Sequence, residues 1–182
     1  MKIASWNIRG ENSPFKQQEI RSLVFSNNIS LLGLNETRVH QANSSIIANE
    51  LLRCWKVVFN YISHPNGRIW VLWNPDIIEV EVIYISDQMI HVAVKIIQKQ
   101  ISFFVSFIYG LHTRSEQTNL WQSLLQVSGS AGSIPWIVLG DFNTVRKPEE
   151  RVGGNLSWSS SYEDFDRCCA LSQLEDLRYT GH

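Results

Sequence analysis

Residues 78–109 read IEVEVIYISDQMIHVAVKIIQKQISFFVSFIY, and this stretch decides the fold class. Ile78, Val80, Val82 and Tyr84 alternate along it, and Ile90, Val92, Val94 and Ile96 repeat the alternation after a short polar break. Apolar side chains of period two belong to strands that bury one face. Residues 101–109 add a third run dense in Phe, Val and Ile, types that favour strands. Just upstream, residues 55–60 and 69–73 flank Pro65-Asn66-Gly67, a turn signal between two further strands. Residues 2–6, 29–34 and 136–139 complete the set as short apolar runs.

Helices punctuate these strands. Ser13-Pro14 supplies a cap and a first helical position, followed by Ile20, Leu23, Val24 and Asn27 at helical spacing. Residues 44–52 form a short helix, with Ile47 and Leu51 one turn apart. Thr113 and Glu116 make a capping box that opens a helix through Trp121, Leu124 and Leu125, which Gly129 can end. Ser160 and Glu163 repeat the box ahead of Phe165, Cys168 and Cys169. Adjacent strands with helices at intervals indicate an α/β sandwich, sheets packed face to face and covered by helices.

The bulk properties agree with one globular domain over residues 1–182. The chain is 44% hydrophobic and 18% charged, with no repeat or low-complexity tract. Its longest apolar runs fall short of a membrane span, and no signal peptide opens it. Cys54, Cys168 and Cys169 have no metal-like spacing, so they are expected as reduced, core or half-buried thiols of an intracellular protein. A net charge of −1 gives no vote for non-specific grip on nucleic acid, although acidic metal ligands can offset basic phosphate contacts.

Chemistry gathers where strands end. Trp6-Asn7-Ile8-Arg9-Gly10 closes the first strand on a carboxamide, Leu34-Asn35-Glu36-Thr37-Arg38 closes the second on a carboxylate, and Leu139-Gly140-Asp141-Phe142-Asn143 closes a later one on both. If the last stretch stays extended, Asp141 and Asn143 face one side. Hard divalent cations such as Mg²⁺ take oxygen ligands, which Asn7, Glu36 and Asp141 supply. Taken singly, each segment reads as a turn Asn, a solvated Glu or a polar loop; their order together is what counts. His91, among apolar strand neighbours, reads as structural, and His40, His64 and His112 as loop residues. Trp70 and Trp73 read as core or half-core.

These three segments resemble the opening motifs of the endonuclease/exonuclease/phosphatase family, over essentially the whole chain. Residues 5–10, Gly67-Arg68-Ile69-Trp70-Val71-Leu72-Trp73-Asn74 and Asp176-Leu177-Arg178-Tyr179-Thr180-Gly181-His182 are similar to the endonuclease domain of plant-type LINE (non-LTR) retrotransposons. The resemblance implies a four-layer α/β/β/α sandwich of the DNase I-like type, incomplete at the C-terminus. It implies a Mg²⁺-dependent (or Mn²⁺-dependent) phosphodiester hydrolase that nicks DNA, with no membrane and no obligate protein partner, nuclear if it acts on DNA. Glu36 would then be the principal metal ligand with Asn7 beside it. Asp141 would orient or deprotonate the attacking water, Asn143 would bond a phosphate oxygen, and Tyr109 would stand near the phosphate or simply cap its strand. Arg9 and Arg38 would meet DNA phosphates or remain surface charges.

The family completes its site with a later Ser/Thr-Trp, an Asp in a following strand and a near-terminal Asp-His pair. The one histidine after Asn143 is His182, preceded by Gly181 rather than Asp. The expectation is a domain cut short, prone to aggregate and catalytically inactive or crippled, since positioned acid–base help alone is worth ~10²–10⁴-fold. Two alternatives stay open: a non-catalytic metal- or nucleic-acid-binding module, and a family member acting on a phospholipid, inositol phosphate or RNA.

Overall fold

The computed structural model describes residues 1–10, 14–147, 150 and 160–177. Ser13 and residues 178–182 lie outside these, and with them the first expected cap and, of the last stretch of the resemblance, all but Asp176 and Leu177, His182 included. The chain forms two compact units, Met1–Tyr109 with Ile134–Asp141 and Gly110–Ser133 with Phe142–His182.

The first unit holds two four-stranded sheets and two helices. One sheet has the order β1-β2-β4-β3, from β1 (Lys2–Asn7), β2 (Ile29–Asn35), β3 (Lys56–Phe59) and β4 (Ile69–Trp73). Between β1 and β2 runs α1 (Pro14–Asn27), the crossover that parallel neighbours require. Pro14 opens this helix, where its missing N–H costs nothing. The second helix, α2 (Gln41–Leu51), starts three residues earlier than its apolar spacing suggested. His40 caps it, its ring Nδ1 accepting from the Ala42 amide at 3.4 Å. Every residue of β2 and β4 is buried, as continuous apolar runs predict.

The other sheet has the order β5-β6-β7-β8, from β5 (Ile78–Ile85), β6 (Met89–Ile96), β7 (Ile101–Tyr109) and β8 (Trp136–Asp141). The alternation of β5 does not carry along its whole length. The register shifts between Val82 and Tyr84, and Val82, Ile83 and Tyr84 are exposed while Ile78 is buried. β5 lies at the sheet edge, where a bulge re-aims side chains without breaking a central ladder.

Leu31, Ile69 and Val71 of the first sheet pack against Ile90, Val92, Val105 and Phe107 of the second. Gly33 allows this approach, because a Cβ there would fall 2.1 Å from the Phe107 ring. The opposite face of the first sheet buries Leu32, Leu34, Trp70 and Leu72 with Ile20, Val24, Ala48 and Leu51 of α1 and α2. Trp70 and Trp73 are therefore both core. His91 is structural as expected: it is 4% exposed, its Nδ1 lies 2.8 Å from Ser106 Oγ, and burial pushes its pKa down to about 4.

The second unit contains α3 (Arg114–Ala131) and α4 (Ser160–Leu171). Thr113 and Glu116 form the full capping box of α3. Gly129 does not end that helix; Gly132, with φ +59°, is its C-cap, because only there does the chain need a conformation that favours glycine. Ser160 is the first residue of α4 rather than the residue before it. Trp121 stacks on Phe165 at 5.1 Å, and Phe142 lies 4.7 Å from Phe165. Cys168 and Cys169 are buried on α4, but Cys54 is exposed, against the expectation of a partly buried thiol; none of the three is bonded to another cysteine. No helix among the described residues is long and apolar enough to cross a membrane.

Candidate active site

The ends of β1, β2, β7 and β8 meet through a closed ring of contacts. Asn7 pairs in register with Asn35, the residue before Glu36, because β1 and β2 run parallel. Tyr109 pairs in register with Asp141, because β7 and β8 also run parallel. Across the two sheets, Asn7 Nδ2 donates to Asp141 Oδ2 at 2.6 Å, and the Tyr109 hydroxyl donates to Glu36 Oε1. Buried Asn35 ties the sheets at the same level, its Nδ2 donating to the Ile108 carbonyl at 2.9 Å.

The backbone around this ring is strained. Glu36, Arg38 and Arg9 have φ of 54°, 54° and 51°, a left-handed region that L-residues with long side chains seldom adopt. Such conformations persist only where the surroundings over-determine them, and they gather at functional sites. Here the Glu36 amide donates to the Arg68 carbonyl at 2.9 Å and its own carbonyl accepts from Gly10 at 2.7 Å, which fixes the turn from both sides.

The donor set suits a hard cation. Asn7 Oδ1 is buried and has no hydrogen-bond partner, an arrangement that costs free energy unless something accepts its lone pairs. It sits on the side chain whose other end is held by Asp141. The Glu36 side chain is mostly buried, 17% exposed, with Arg38 Nη2 3.4 Å from its Oε2. Among the described residues no three His, Cys, Asp or Glu side chains gather as a metal cluster; the set here is two carboxylates and a carboxamide.

Other expected residues fall differently. Asn143 lies past the end of β8 with φ +50°, so the period-two argument that paired it with Asp141 does not apply. It belongs to the second unit, where its Nδ2 donates to the Gly110 carbonyl at 2.6 Å. Gln117 anchors the same segment, donating to the carbonyls of Leu111 at 2.7 Å and Phe142 at 3.2 Å. Arg9 is exposed, and so is Arg38, which meets Glu36. Tyr109 closes β7, is 2% exposed and donates its hydroxyl to Glu36. Asn35 and Arg68 were not singled out from the sequence, although both stand beside residues that were.

The sequence pattern of the Endonuclease/Exonuclease/phosphatase family matches residues 4–169. The chain belongs to that family. Its described parts are mixed α/β with two sheets and four helices, and the solved family structures that it matches have the DNase I-like fold. The endonuclease domain of TRAS1, a telomere-specific non-LTR retrotransposon, superposes with a TM-score of 0.69 at 10% identity, covering 93% of this chain and 71% of that one. The human Nocturnin catalytic domain gives 0.53 at 17% identity, covering 90% and 68%. D. rerio TDP2 complexed with a single-strand DNA product gives 0.56 at 14% identity, covering 78% and 60%. The family chain therefore spans roughly two thirds of the length of these structures. No curated protein matches it.

Proposed function

We propose that residues 1–182 carry the metal-binding side of a divalent-metal-dependent phosphodiesterase domain that nicks DNA. The observation that carries this reading is the buried, unpartnered Asn7 Oδ1 on the side chain that grips Asp141, with Glu36 held by Tyr109 at the same strand ends. In this reading Glu36 and Asn7 hold Mg²⁺ or Mn²⁺, with oxygen donors that suit hard cations. A bound cation would supply charge stabilisation at the phosphoryl oxygens.

The side chains divide the remaining work. Asp141, fixed by Asn7 Nδ2, orients a water for in-line attack and takes its proton. The Tyr109 hydroxyl holds Glu36 in the one orientation that its strained backbone presents. Asn143 bonds a phosphate oxygen, and Arg9 and Arg38, both exposed beside the strand ends, meet neighbouring phosphates of the duplex. DNA as substrate is supported by TRAS1 being an endonuclease domain and by TDP2 having been crystallised with a DNA product. The motif stretches shared with plant-type LINE elements favour that branch, and action on DNA would place the protein in the nucleus.

Residues 1–182 contain no Asp-His pair of the kind the family uses at the scissile phosphate. The polypeptide assayed by itself is therefore expected to nick supercoiled plasmid slowly. That nicking should require Mg²⁺, stop with EDTA and vanish in Glu36→Ala. Nicking that survives Glu36→Ala, or none at all from folded wild type, would contradict the reading.

A further inference from the structure

Arg68, the residue before β4, touches both members of the Tyr109–Glu36 pair. Its carbonyl accepts the Glu36 amide at 2.9 Å. Its guanidinium lies over the Tyr109 ring, 5.4 Å from the ring centroid. Tyr109 then passes its own hydroxyl to Glu36. The backbone and the side chain of one residue thus reach the same carboxylate by two routes.

The side chain is half-buried, and among the described residues its guanidinium takes part in no ion pair and donates no side-chain hydrogen bond. The neighbouring charges do not satisfy it. Arg38 meets Glu36 at its Oε2. His64 is held below its ordinary pKa, first by burial and then by Arg68 itself, with Asp87 opposing, so the imidazole favours its neutral form near pH 7 and leaves Arg68 as the cation of this turn. A guanidinium held over a ring face by the cation–π attraction keeps its N–H donors available to other partners. Its fork of donors matches two oxygens of a tetrahedral phosphate, and a half-buried cation with unspent donors is stabilised when an anion completes it.

We propose that Arg68 is a phosphate-binding residue, taking non-bridging oxygens of a substrate phosphate through paired N–H donors while its guanidinium rests over the Tyr109 ring. The proposal rests on the phosphodiesterase reading above and deepens it: one backbone position sets the carboxylate on the metal side, and its side chain sets the phosphate. Arg68→Lys keeps the charge and loses the fork, whereas Arg68→Met keeps most of the bulk and loses the charge.

The test is a titration of residues 1–182 with inorganic phosphate in EDTA, followed by NMR at the backbone amides of Gly67 and Ile69. Saturable movement is expected in wild type, roughly tenfold weaker binding in Arg68→Lys, and no movement in a well-dispersed spectrum of Arg68→Met. Movement unchanged in Arg68→Met, or none in wild type, would overturn the proposal. A second arm measures duplex DNA binding against salt, where Arg68→Met should reduce the log–log slope by about one. An unchanged slope with phosphate binding intact would count against DNA as the substrate rather than against Arg68 as the anion site. The phosphodiesterase reading fails on a different observation, nicking that persists in Glu36→Ala.

Discussion

Asp141→Asn lowers Mg²⁺-dependent hydrolysis of bis(4-nitrophenyl) phosphate by ~10²–10⁴-fold, the usual worth of a positioned base. This diester is the right probe because 4-nitrophenolate leaves without a proton, so a polypeptide with no Asp-His pair can still turn it over. The substitution is nearly isosteric, and the new carboxamide oxygen can still accept from Asn7 Nδ2, which now reaches Asp141 Oδ2 at 2.6 Å. What disappears is the negative charge and the ability to take a proton from water. A fall of less than about tenfold would remove Asp141 from that role, since the general-base contribution is at least ~10²-fold where it operates.

Gly140→Ala costs about 3 kcal/mol of stability and weakens metal binding at the same time. Gly140 has φ +148°, which only glycine adopts readily, and a Cβ there would fall 2.0 Å from the Ile108 carbonyl oxygen. Ile108 is its register partner on β7, so the clash is with backbone that cannot swing aside. Relief requires the end of β8 to move, and Asp141 is the next residue. Urea denaturation should show the loss, with Gly129→Ala as the control: that glycine is helical and has nothing within 4 Å of a Cβ, so alanine stabilises there by ~0.5–1 kcal/mol. Equal effects at the two positions would contradict the geometry.

The strands were legible because most of them are buried, and burial writes a period into sequence. β2 and β4 are buried at every residue, whereas β6, read as an alternation, is buried on both faces from Met89 to Val92 and alternates only over Val92 to Lys95. β5 shows the limit, since a bulge at a sheet edge lets Ile83 enter without any change in local composition. His40 as a cap was equally hidden, because imidazole is an uncommon cap and the apolar spacing of α2 begins later. At the site, oxygen-bearing residues at strand ends point to Asn7, Glu36 and Asp141, and parallel pairing within each sheet together with contacts across the sheets brings those ends together. Asn143 could not be oriented from spacing, because its backbone leaves the extended region just after Asp141. Arg68 and Asn35 were unreadable for a different reason: their parts are set by partners far along the chain, Tyr109 for one and Ile108 for the other.

The central claim is that Asn7 and Glu36 hold a divalent cation beside Asp141, and it is tested most directly by titrating Mn²⁺ into residues 1–182 and into Glu36→Ala, with binding followed by EPR. The account predicts one saturable Mn²⁺ site in wild type, displaced by Mg²⁺, and at least ~10-fold weaker binding in a folded Glu36→Ala, as lost ligands typically cost that or more. Equal Mn²⁺ affinity in the two proteins, or no site in folded wild type, would contradict it.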